Sequence, residues 1–462
     1  MFKNLFYILT LFFVGGFLIV SCNKDNDDID DTPTKANVKT YDNEAVYNWN
    51  EIFLEVERYA AGYRPGPAPR ALAYLGLSAY EACISGMPEF QSVSALYPGL
   101  SIPNPDPAIE YHWPSVVNGS YAYLMSRFFT NVPSHIKVII PAMENQLDNK
   151  YKLEAGEENW QKSKAYGAAV ANAIWEWSKT DTYGHDAYLD PFANYTWEDH
   201  YDGPGDWEAT FPGPGKPMFP HWGKARAFAI KEADKLCPPP LPASDSPNSA
   251  LYAQALEVYA QSAPTQSYEA KWVGEFWSDD LVGLTFSPGP RWIAIANQVF
   301  DQERSNLETA IFANVKIGMA VNDAAVACWY SKYVYNVERP VTYINRVIDP
   351  NWVTPLDDPI TGEKGLSPSF PAYPSGHSTM GAAGAEALSS IFGYNYAMTD
   401  RCHENRSDFV GRPRSFSSFY EMAEENAWSR VPIGVHFRMD SEQGVNLGYR
   451  VARKVNDLPW KK

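Results

Sequence analysis

Basic residues are scarce in this 462-residue chain: 38 Lys and Arg stand against 55 Asp and Glu, a formal net charge of -17. Nucleic-acid binding needs concentrated positive charge, so this balance argues against such a partner. Cysteine is nearly absent, with five in all. Beyond Cys22 they are Cys83, Cys237, Cys328 and Cys402; their spacing matches no zinc pattern and leaves room for one or two disulfides. Strand-like alternation is rare. From residue 41 onward no run is expected to be long and apolar enough to cross a bilayer. What is present is apolar: 45% hydrophobic and 15% aromatic residues exclude a disordered or fibrous chain. The 36 prolines and 29 tyrosines point to long ordered loops.

The N-terminus has signal-peptide proportions. Lys3 precedes an apolar run from Leu5 to Val20, which ends in Ile19-Val20-Ser21-Cys22. That ending resembles a bacterial lipobox, in which residues 1–21 are removed and Cys22 is lipidated; the alternative is an ordinary signal with a chance cysteine. The acidic stretch that follows reads as a flexible tether over 22–44, and it resembles a surface-export signal of lipoproteins. The expectation is a bacterial outer-membrane lipoprotein, facing the periplasm or the cell surface, lipid-anchored and not embedded. Apolar residues recur at three- and four-residue spacing over 44–62, 69–86, 159–179, 249–262 and 305–338. Pro/Gly/Trp-rich connectors separate them, notably 189–222. The fold class is all-α, with a single helical domain over 45–462.

Three segments carry chemistry. In the first, Lys332 and Arg339-Pro340 close a long apolar helix. Seven residues span nearly two turns, so the two cations are expected on one helix face, about 10 Å apart. They need an anion or acidic partners, or else form a solvated basic face. The second is Phe370-Pro-Ala-Tyr-Pro-Ser375-Gly376-His377, followed by small residues that start a helix. Unpaired N–H groups gather there. Gly376 permits close approach to a ligand, and His377 can exchange protons near neutrality. Ser375 is a hydroxyl donor or a plain cap. The third is Ser429-Arg430 through His436 to Asp440. Arg430 suits tetrahedral oxyanions. Asp440 either accepts from the His436 ring or caps the helix that follows. Together these groups suit an oxyanion such as phosphate or vanadate.

Lys-x6-Arg-Pro, Pro-Ser-Gly-His and Ser-Arg-x5-His-x3-Asp, spread over 332–440, resemble the signature shared by vanadium-dependent haloperoxidases and type 2 phosphatidic acid phosphatases. The long stretch before Lys332 and the string from Phe370 to His377 resemble the haloperoxidases more closely. So does Trp329, which matches a tryptophan lining their vanadate pocket and is otherwise core packing. Asp280, in Phe-Trp-Ser-Asp-Asp, resembles the family carboxylate that orients the last arginine, with Asp279 as its competitor. The resemblance implies two four-helix bundles flanking the site. It implies vanadate (V5+) as cofactor, with His436 as metal ligand. Lys332, Arg339, Ser375, Gly376 and Arg430 would cradle its oxygens, and His377 would move protons. Hydrogen peroxide, a halide and a small organic acceptor are the implied partners, Lys332 polarising the oxidant. Algal bromoperoxidases carry histidine where Phe370 stands; fungal chloroperoxidases and some bacterial iodide enzymes carry phenylalanine, and iodide or bromide is the favoured halide. The alternatives are an acid phosphatase working through a phosphohistidine, and a silent lipoprotein that binds phosphate or a glycan.

Overall fold

The computed structural model describes residues 36–192, 194–210, 215–262 and 266–462. The signal run, Cys22 and most of the acidic tether lie outside the described residues. Fourteen α-helices are described. In chain order they are α1 (Glu44–Glu57), α2 (Pro67–Cys83), α3 (Trp113–Phe128), α4 (Ser134–Lys137), α5 (Ile139–Ala155), α6 (Glu157–Ser178) and α7 (Ala250–Gln261). Then come α8 (Tyr268–Phe276), α9 (Arg291–Glu303), α10 (Leu307–Tyr335), α11 (Pro340–Val347), α12 (Gly376–Phe392), α13 (Phe419–Trp428) and α14 (Arg438–Asn456). Among the described residues the only sheet is one antiparallel pair, Met398–Asp400 with Arg414–Phe416.

The helical periodicities correspond to α1, α2, α6, α7 and α10. Two expectations change. Residues 36–43, assigned to the tether, pack into the fold: Val38 is buried, and Ala36 O accepts from the Trp113 indole at 2.7 Å. Second, α10 is long and apolar enough for a membrane span, yet 94% of its most apolar window is buried inside the protein. A helix apolar all round is the spine of a large core, and α10 has that role. Cys83, Cys237, Cys328 and Cys402 are all free thiols. The expected room for disulfides is unused among them.

Helices α2, α3, α5 and α6 pack together on one side. On the other, α12, α13 and α14 pack together and α10 lies against α12 and α14. Helix α10 also lies along α2 and joins the two groups. Close approach of α14 to α12 depends on glycine. A Cβ on Gly444 would stand 2.7 Å from Ser378 Cβ and 2.8 Å from Ser375 O. One on Gly448 would overlap the Thr379 carbonyl oxygen. These contacts hold the start of α12 against the start of α14. Gly448→Ala is therefore expected to cost about 1–3 kcal/mol through overpacking. Chemical denaturation measures it; parent-like stability would contradict this packing.

Candidate functional site

Lys332 and Arg339 do not share a helix. Asn336 takes the left-handed conformation (φ 48°, ψ 38°) and ends α10 one turn after Lys332. Arg339 is extended and caps α11, with Pro340 in its first turn. The expectation of one helix face fails because it carried helical geometry across this break. The two side chains still converge, on consecutive carbonyls of one loop segment. Lys332 Nζ donates to Pro371 O (2.7 Å) and Ala372 O (2.8 Å). Arg339 Nε donates to Phe370 O at 2.9 Å. The Phe370 ring lies 5.0 Å from Lys332 Nζ and 4.9 Å from the Arg339 guanidinium carbon.

Ser375 caps α12, its Oγ accepting from Ser378 N at 3.3 Å, so it is a cap with its own hydrogen left to donate. Helix α12 then begins at Gly376, where first-turn N–H groups have no helical carbonyl to reach. A Cβ on Gly376 would meet the Trp329 ring at 3.3 Å, so the glycine lets that indole close the floor. Trp329 lines the site beside Phe370, with ring centroids 5.0 Å apart.

Arg430 is held on several sides. Its Nη1 donates to Asp280 Oδ2 (2.8 Å) and to His377 Nε2 (3.2 Å), and its Nη2 to Trp277 O (2.9 Å). Asp280 is thus the carboxylate on this arginine. Asp279 turns away to Arg291 (3.1 Å) and His403 (3.4 Å). His436 Nδ1 donates to Asp440 Oδ2 at 2.9 Å, which leaves a lone pair on Nε2, 3.2 Å from Arg339 Nη1. Asp440 fills both sequence-level roles, since the same oxygen accepts from Phe437 N at the start of α14.

The electrostatics call for an anion. Lys332, Arg339 and Arg430 are all fully buried, as is Asp440, and Asp280, 18% exposed, accompanies them. Burial depresses the Lys332 ammonium and brings the Arg339 guanidinium down to about 10. Burial pushes His436 well below its usual value, with Arg339 adding to the effect, so its imidazole is neutral. Burial, then Arg430, brings His377 down to about 4. For Asp280 burial works upward, but His377 and Arg430 outweigh it and hold the carboxyl low. Burial raises Asp440, against the pull of Lys332. Donors remain unspent: Arg339 Nη2 is buried with no hydrogen-bond partner among the described residues. Unpaired buried donors and excess buried cations are costly, and a tetrahedral oxyanion on His436 Nε2 relieves both.

Above this cradle lies a cavity of about 370 Å³. Sequence reasoning missed most of its walls. Pro191, Phe192 and Met218 come from the aromatic connector, and Leu356 and Leu366 from a later loop. These loops carry no periodicity, so nothing local marked them. Arg291 was missed too. It donates to Phe276 O (2.8 Å) and pairs with Asp279 and Asp400, bracing from behind the segment that carries Asp280.

The His377 shift fixes a pH dependence. A dianion in the cradle raises the His377 pKa from about 4, so between the free and bound values binding takes up a proton. Affinity is then highest at low pH and falls as pH rises through that window, by up to about tenfold per unit. Sulfate, whose charge is constant there, is the probe. Calorimetry from pH 5 to 7 is expected to show a steeper slope in the parent than in His377→Ala, where Lys332 and Asp440, both drawn by burial to about 7, still contribute; equal slopes would contradict it.

Residues 312–458 match the family model of the VCPO second helical-bundle domain. The vanadium chloroperoxidase of Curvularia inaequalis is 24% identical, over 87% of this chain and 80% of its own. The fold is similar to that of the first bacterial vanadium-dependent iodoperoxidase, with a TM-score of 0.77 and 28% identity over 90% of this chain and 96% of the other. A bacterial vanadium-dependent chloroperoxidase in its holo form has the same fold, with a TM-score of 0.64 and 17% identity over 92% and 98%. With the signature residues gathered in one cradle, these likenesses fit the haloperoxidase branch of the superfamily that vanadium-dependent haloperoxidases share with the type 2 phosphatidic acid phosphatases.

Proposed function

We propose that this protein is a vanadate-dependent haloperoxidase that uses hydrogen peroxide to oxidise iodide or bromide to hypohalous acid. The observation that carries the reading is the excess of buried cations around a neutral His436, with an Arg339 nitrogen left unpaired. His436 would hold vanadate through Nε2, the ring fixed by Asp440. Lys332, Arg339 and Arg430 would offset the oxyanion charge from three sides, with Ser375 Oγ and Gly376 N–H as further donors. Bound vanadate supplies Lewis-acid activation of peroxide at constant oxidation state.

The rest belongs to the chain. His377 is neutral near pH 7, because burial and Arg430 oppose its charge. A neutral imidazole can accept the proton that hydrogen peroxide must lose, and Asp280, 3.7 Å from His377 Nε2, stabilises the imidazolium formed. Lys332, its ammonium fixed by two carbonyls, keeps one hydrogen that would donate to the bound oxyanion and offset its charge. Phe370, where a histidine would stand in an algal bromoperoxidase, gives no extra donor, and because chloroperoxidases and iodide enzymes share phenylalanine there it does not select the halide; the lean to iodide draws on the likeness to the iodoperoxidase.

The test is reconstitution with vanadate. Dye halogenation dependent on both peroxide and halide is expected, fastest with iodide or bromide, and His377→Ala is expected to lower the rate about 10²–10⁴-fold. Rapid phosphate-ester hydrolysis with no halogenation at any vanadate loading would instead establish the phosphohistidine route. Efficient chlorination would overturn the halide assignment alone.

A further inference from the structure

The cavity over the cradle is larger and drier than peroxide and a halide require. At about 370 Å³ it falls in the range of sites that enclose small organic molecules. His377, His436 and Arg430 lie at its floor, and its other polar lining groups are Arg64, Asp279, Asp280, Ser367 and Ser369. The rest of the wall is apolar, with Phe192, Val282, Leu356, Leu366 and Phe370. One wall has a small core of its own. Leu356, Ile433 and Val435 pack together with Leu366 against them, apart from the main core. Thr354 Oγ1 to Leu366 O (2.6 Å) and Leu366 N to Leu356 O (2.8 Å) tie that loop to itself. This is a built wall, separate from the helix packing. At the rim, Val282 is 58% exposed.

The charges lining the cavity are already spent. Asp279 and Asp280 are paired with Arg291 and Arg430. Arg64 donates to Leu281 O at 3.0 Å and to Thr285 O, and faces Glu57. Among the described residues no unpaired carboxylate or guanidinium remains above the floor for a charged guest. An uncharged molecule fits, and a ring can lie against Phe370, whose neighbour Trp329 fixes its tilt.

We propose that this cavity binds the organic acceptor, an uncharged, electron-rich aromatic, and that halogen is transferred to it there and not in free solution. The inference rests on the haloperoxidase reading. Hypohalous acid formed at the floor meets the ring. A carbon–halogen bond forms and a carbon–hydrogen bond breaks; the ring supplies the electron pair, and the hydroxyl leaves as water with the ring proton.

Thymol, a neutral phenol, is the probe, with Val282→Glu and Leu366→Glu as variants outside the cradle. Calorimetry on the vanadate-loaded protein is expected to show saturable thymol binding, weakened at least about tenfold by Leu366→Glu, which places an unpaired charge in the apolar wall, and less by Val282→Glu, whose carboxylate reaches water at the rim. Triiodide formation from iodide and peroxide, with no organic acceptor, is expected to stay within about twofold of the parent. The parent is expected to halogenate thymol with an ortho-to-para ratio different from that of reagent hypohalous acid, and the variants to move toward the reagent ratio. No thymol binding, binding untouched by both variants, or a parent ratio equal to the reagent's would overturn the proposal. Absent triiodide formation would sink the haloperoxidase reading instead, and thymol calorimetry, which needs no turnover, would still judge the cavity.

Discussion

An excess of positive charge, buried where water cannot solvate it, is the constraint on which the rest of this structure depends. Lys332, Arg339 and Arg430 sit where burial disfavours every one of their charges. Two carboxylates offset part of that cost and orient the neighbouring histidines. The remainder is destabilising in the empty protein and becomes binding energy when an oxyanion arrives. A cradle of this kind must be rigid, because any side chain free to rotate would turn its charge toward solvent or a nearer carboxylate.

Rigidity comes from how the helices meet. Helix α10 is sealed in the core and carries Lys332 in its last turn. Glycines 444 and 448 let α14 lie against α12, which brings Asp440 O within 2.9 Å of Ser375 N and joins the two halves of the site by a backbone bond. The carbonyls of Phe370 to Ala372 fix the Arg339 and Lys332 heads. The segment with Trp277 and Asp280 fixes Arg430, and Arg291 grips that segment from its far side. Each cation is thus oriented by groups from another part of the chain.

That division explains what the sequence made legible. The residues that would touch the oxyanion were readable because their chemistry is unusual and their spacing is fixed. The all-α class was readable from periodicity, as were the spine α10 and the start of α12. The turn at Asn336 was not, because a single left-handed residue leaves no trace in spacing, and the relation of Lys332 to Arg339 was misjudged for that reason. The choice between Asp279 and Asp280 is made by Arg430, 150 residues beyond Asp280, and by Arg291, which holds Asp279 from 12 residues away. The cavity walls come from loops whose proline and aromatic content signals order but no position. The packing of residues 36–43 was hidden because their polar surroundings resemble a tether.

The most direct measurement of the central claim is a crystal structure of the vanadate-soaked protein, solved beside His436→Ala. The account expects one vanadate bonded to Nε2 of His436, its oxygens facing Lys332, Arg339 and Arg430, and no bound vanadate in the variant. Vanadate bound away from that ring, or bound unchanged without it, would contradict the account.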